Sequence, residues 1–191
     1  MLASITPLGE RGRQSTWAVT VTAFALGASA AGAGAGAALG AVGNAFVPAG
    51  GREAAVVGLL AAALALDLLA PAVPGPRRQV NERWLDEYRG WVYGFGYGAQ
   101  LGLGVTTIVS SAALYAALGA AFLAGPAGGA VIVGCFGAVR GLTPLAASHV
   151  RSPGQLMAVH RGLDRWRVPV HRVSTGLLGV LCVLALIQVV A

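Results

Sequence analysis

The chain has 191 residues, of which 56% are hydrophobic and 10% charged, with a net charge of +6. Soluble domains carry roughly 25% charged residues, so seven acids and thirteen bases cannot coat a soluble domain of this length, and the apolar surplus must face lipid. All the bases are arginine and all but Arg140 sit in the N-terminal tail or in the gaps between apolar runs. That arrangement argues against a nucleic-acid partner and for membrane topology.

Five apolar runs follow in chain order, at about 16–47, 54–73, 91–125, 128–147 and 173–191. They predict an all-α integral membrane protein with about five transmembrane helices in a single polytopic domain, 1–191. The first run follows Arg11 and Arg13 and contains Ala28-Ser29-Ala30, the make-up of a cleaved signal peptide. Its apolar character continues well past that point, so a retained span is expected. Ala28, Gly32, Gly36 and Gly40 recur every four residues along it. The second run holds Asp67. The third would be roughly 50 Å long as one helix, against a hydrocarbon core of about 30 Å, so it must tilt, project or break.

Near the middle of the third run stand Gln100, Thr106, Thr107, Ser110 and Ser111, beside Gly102 and Gly104. Two readings are open. The hydroxyls can bond back to carbonyls one turn earlier in a continuous helix. Alternatively, a broken helix exposes backbone groups to a solute. Gly94, Gly98 and Gly102 repeat the four-residue spacing here, as do Gly137 and Gly141 in the fourth run, which also carries Cys135 and Arg140. Small residues at this spacing let helix backbones approach closely. The fifth run contains Cys182.

Arginine placement gives the orientation. The N-terminal tail, the second gap and the fourth gap hold two, four and five arginines, and the first gap holds Arg52 alone. Eleven against one predicts a cytoplasmic N-terminus, two long cytoplasmic loops and an outside C-terminus in the cytoplasmic (plasma) membrane. Both loops predict short amphipathic helices. One covers 81–89 with Val80, Trp84 and Tyr88 in line, the other 155–167 with Leu156, Val159, Leu163 and Trp166 in line. They can lie in the headgroup layer or pack on the protein's own cytoplasmic ends. Trp91, Tyr93 and Tyr97 read as an aromatic belt.

Few groups carry chemistry. A polar path would run along Gln100, Thr106, Thr107, Ser110, Arg140 and Thr143. Asp67 and Arg140 come out at similar depth from the cytoplasmic side, so an intramembrane ion pair is expected, with snorkelling of Arg140 or a solute site as alternatives. Cys135 and Cys182 also come out at similar depth. They read first as packing residues and second as a buried redox pair. No metal-ligand spacing, no HExxH and no Gly-x-Ser-x-Gly is present, so no metal, cofactor or catalytic residue is expected. His149, His160 and His171 lie in or beside the last loop and read as headgroup contacts.

Gly94-Phe95-Gly96-Tyr97-Gly98, Gly104-Val105-Thr106-Thr107, the turn at Gly125-Pro126 and the stretch 134–144 resemble the transmembrane domain of the cytochrome c biogenesis (CcdA-type) thiol-electron carriers, within the LysE-like transporter superfamily. The resemblance covers about a quarter of the chain. It implies a related helical fold and, through the superfamily, export of a small solute. The family's six spans and its redox cysteine near 106–111 have no counterpart here. The expectation is therefore a small transporter-like protein moving a small solute. The alternative is an accessory or structural subunit of a larger membrane complex. Its partners would be the lipid bilayer, other membrane subunits, or a second copy through the glycine faces, and no nucleic acid.

Overall fold

A computed structural model describes residues 5–70, 73, 75, 83–104, 109 and 111–190. The described residues form helices and no strands. In chain order these are α1 (Pro7–Gly12), α2 (Trp17–Phe46), α3 (Arg52–Leu69), α4 (Trp84–Glu87), α5 (Gly90–Gly102), α6 (Ala113–Leu123), α7 (Gly125–Gly141) and α8 (Pro153–Val190). Short 3-10 turns at Ala49–Gly51 and Thr143–Ala147 join the longer pieces. Three segments are long and apolar enough to cross a membrane: Trp17–Phe46, Gly125–Ala147 and Pro153–Val190.

Helix α2 is the axis of the bundle. Its 30 residues contain no proline, and it stops where Val47 turns extended ahead of Pro48, a position that disfavours the helical region. Arg52 reaches back from α3 to the Val47 carbonyl and to Asn44 Oδ1 at 2.7 Å, so a cation closes the negative end of α2.

The glycine spacing sets how α2 meets its neighbours. A methyl group on Gly94, Gly98 or Gly102 of α5 would strike the carbonyls of Thr20, Phe24 and Ala28. Both numbers rise together, so α5 runs parallel to α2. On the other side, Gly32, Gly36 and Gly40 face the carbonyls of Val133, Gly129 and Gly125, and Gly137 faces that of Ala28. These pairs fall as they rise, so α7 runs antiparallel. The glycine stripes expected from the sequence are thus consumed inside the chain, leaving backbones in direct contact.

The third apolar run breaks. Helix α5 ends at Gly102, Gly104 takes φ +71°, a left-handed conformation suited to glycine, and the next helix starts at Ala113. Helices of 13 and 11 residues are about 20 and 16 Å long, so neither spans about 30 Å of hydrocarbon alone. Helix α6 lies beside the far end of α2, with the Phe122 carbonyl against Gly43, and beside α3, with Leu59 against Gly119. A sharp turn with Gly125 at φ +74° then reverses the chain into α7.

The last loop departs from expectation. The amphipathic segment 155–167 is not a separate helix but the first half of α8, continuous through Pro169 for 38 residues. Its proline removes one backbone bond without ending the helix. In the other loop, Trp84 of α4 stacks on Tyr97 at 6.0 Å, so this short helix packs on the bundle end. Tyr93 and Tyr97 are correspondingly buried in a core with Ile5, Val21, Phe24 and Leu101 and are not belt residues, whereas Trp91 is 56% exposed. A second core joins Leu60 and Ala63 of α3, Ala116 of α6 and Leu178 of α8.

Candidate functional site

The break between α5 and α6 leaves the first amides of α6 without partners in their own helix. Asp67, near the end of α3 and buried, supplies one. Its Oδ1 accepts the Ala112 amide at 2.6 Å, and its Oδ2 accepts the hydroxyls of Ser111 at 2.8 Å and Thr175 at 3.3 Å. Ser111 Oγ in turn accepts the Ala113 amide at 3.1 Å and lies 3.1 Å from Ser174 Oγ. The carboxylate therefore caps α6 from another helix, in the field of that helix's positive end. Three elements, α3, the start of α6 and α8, converge on one charge.

Its depth follows from the register. Phe122 meets α2 at Gly43, and Ala112 lies ten residues earlier, about 15 Å down the axis, near the level of residue 33. That is the middle of α2. Arg140, in the last turn of α7, sits near the level of Ala25, which meets the neighbouring Gly141. The two charges are thus about 12 Å apart in height. The expected Asp67–Arg140 ion pair is not formed: the carboxylate bonds to Ser111, Ala112 and Thr175, and the Arg140 guanidinium lies 5.2 Å over the Phe136 ring. Counting depth from loop ends failed because α3 stops at Leu69, partway along the bundle.

The remaining sequence candidates divide. Gln100 is half-buried on α5, and Thr143 is exposed with its hydroxyl bonded to the Arg140 carbonyl at 2.7 Å. Thr106, Thr107 and Ser110 lie outside the described residues. Both cysteines are free thiols. Cys135 is exposed on α7, whereas Cys182 packs in the core between α3, α6 and α8. The structure does not bring them together.

Sequence reasoning missed a second buried charge. Glu10 of α1 is 1% exposed; it accepts the Tyr93 hydroxyl, the Thr20 hydroxyl at 2.8 Å and Arg13 at 3.0 Å. Burial alone would push this carboxyl up, but hydrogen bonds from Tyr93, Arg13, Thr20 and Ser15 outweigh it and hold it below its ordinary 4.5. The tail is thereby fastened to the junction of α2 and α5. A signal was present in the sequence: Thr6-Pro7 ahead of Glu10 is a helix start, and Thr6 does cap α1 at 3.1 Å. Among the described residues no group of three or more His, Cys, Asp or Glu side chains could hold a metal ion.

Comparison with family models, curated proteins and solved structures finds no match to this chain. The site therefore stands on its own geometry.

Proposed function

We propose that this chain is a small multi-pass protein of the cytoplasmic membrane that moves a small solute across it, with α2, α3, the α5–α6 pair, α7 and α8 as its five crossings. The observation that carries this reading is the Asp67 carboxylate at mid-height, bonded to two hydroxyls and to the first amide of a broken helix. Charge in a bilayer interior is costly and is retained where it faces a path or a partner. Discontinuous helices at mid-membrane are where transporters present backbone groups to solutes. Gln100 lies on α5 ahead of the break, Thr106, Thr107 and Ser110 follow it in the sequence, and Arg140 with Thr143 would form the mouth at the arginine-rich end. The resemblance to the LysE-like superfamily agrees with small-solute export and not with thiol chemistry.

A second reading, an accessory subunit, draws on α8. Leu177, Val180, Leu181, Leu184 and Ile187 of its outer half are all more than half exposed, with no helix among the described residues over them. Lipid or another subunit would cover that face.

Purified protein in liposomes, challenged with a panel of small polar solutes in a stopped-flow swelling assay, tests the lead reading. Uptake of at least one solute above protein-free liposomes, reduced at least tenfold by Asp67→Asn with an unchanged melting profile, is the expected result. No uptake, together with a fixed co-purifying membrane partner, would transfer the argument to the subunit reading.

A further inference from the structure

Because α2 and α5 run parallel with Thr20 level with Gly94, their N-termini lie side by side at the same end of the bundle. Between them opens a cleft of about 570 Å³. Its walls include Arg13 and Ser15 on one side and Arg89 and Tyr88 on the other, with Trp91 at the rim, and among the described residues no carboxylate lines it. Neither helix is capped by its own N-cap side chain: Thr16 and Arg89 make no such bond. Arg13 is held by Glu10, which balances its charge and fixes its guanidinium, also 5.7 Å above the Tyr93 ring. Arg89 is exposed and, among the described residues, has no ion-pair partner. Tyr88 and Trp91, each at least half exposed, mark the level at which aromatic side chains meet headgroups.

We propose that this cleft binds a phosphate-bearing anion, either the headgroup of an anionic lipid or free phosphate. The volume falls within that of small-ligand sites. The guanidinium of Arg89 offers a planar fork suited to phosphate oxygens. The positive ends of α2 and α5 add backbone donors, one on each wall. For the lipid, the site rests on the membrane reading above, since it then lies at the cytoplasmic headgroup layer.

The test uses the full chain purified in a neutral detergent, after fractionation has shown that detergent is needed to extract it; recovery without detergent would fail the membrane reading and not the cleft. Unfolding midpoints are measured with dioctanoyl phosphatidylglycerol, with dioctanoylglycerol, which lacks the phosphate, and with sodium phosphate. We expect saturable stabilisation by the phospholipid and none by dioctanoylglycerol. Arg89→Gln should weaken binding about tenfold, Arg89→Lys less, and Arg161→Gln on α8 not at all. If sodium phosphate stabilises equally and competes, the ligand is a free anion; if it does neither, it is the lipid. Equal stabilisation by dioctanoylglycerol, no stabilisation by any phosphate compound, or an undiminished effect in Arg89→Gln would each overturn the assignment.

Discussion

Glu10 shows how a single side chain converts a charged tail into part of the fold. It answers Tyr93, Thr20 and Arg13 at once, so its loss strands a buried phenol, a hydroxyl and a guanidinium. Glu10→Ala should destabilise by about 2–4 kcal/mol, read as a lower unfolding midpoint in detergent, with Glu10→Gln less severe. The pH dependence has a definite sign. A carboxyl held below 4.5 in the folded state contributes its full stability above that value and loses it as pH falls through the lower folded-state value. The gap between wild type and Glu10→Gln should therefore be constant from neutral pH to about 5 and close at more acid pH. A gap that widens on acidification would contradict the assignment. The thiols make the opposite case: Cys135→Ala with Cys182→Ala should leave solute uptake intact and remove on the order of 1 kcal/mol, mostly through Cys182. Asp67 was legible as a costly charge, but its partners were not. Sequence distance from a loop gives depth only when the helix runs all the way to that loop's side of the bundle, and α3 stops short of it at Leu69.

At the level of elements, glycine spacing was the most informative text in the sequence, because close approach leaves no alternative residue at the contact. Gly36 and Gly129 each meet the other's carbonyl, so Gly36→Val should wedge α2 from α7 and cost upward of about 2 kcal/mol. Gly58, whose missing methyl would meet nothing, should tolerate Ala with a gain of about 0.5–1 kcal/mol. Equal tolerance at both positions, measured by thermal unfolding, would mean that the α2–α7 register is wrong. The capping of α6 gives a further check. Asp67→Ala should cost about 1–3 kcal/mol, because an amide and two hydroxyls lose their acceptor, and only the Ser111 share of this should vanish when Ser111 is already Ala, since the Ala112 amide and the Thr175 hydroxyl still lose theirs. The excess length of the third run announced trouble without saying which remedy the chain adopts. The left-handed glycine at 104 and an acceptor 45 residues earlier decide for a break, and a cap supplied by a different helix leaves no local signature. The fused α8 was hidden for a related reason. Pro169 reads as a stop, yet the apolar face running on to Leu178 and Cys182 packs against α3 and carries the helix past it.

For the whole molecule, the helix directions and the arginine distribution are independent and agree. The parallel pairing of α5 and the antiparallel pairing of α7 with α2 bring Arg13, Arg89 and Arg140 toward one end, while Arg52 closes α2 at the other. Helix α8 passes Asp67 at Thr175, the level of mid-bundle, with fifteen residues still to run. Those residues amount to about 22 Å, enough to reach the end marked by Arg52. The arginines of α8, from Arg161 to Arg172, precede this point and so lie toward the opposite end. The proposed arrangement, with the α5–α6 pair counting once, therefore has an odd number of crossings. A reporter that works only outside the cytoplasm should therefore be active when fused after Ala191, and one inserted after Arg151 should be silent. A cytoplasm-only reporter should give the reverse. Moving arginines probes the same balance: Arg161, Arg165, Arg167 and Arg172 changed together to Gln should weaken the preference and yield a mixed population. Cytoplasmic activity at Ala191 in the wild-type chain would remove the five-crossing arrangement and return α8 to the membrane surface, where its 38 residues would lie along the headgroups instead of through them.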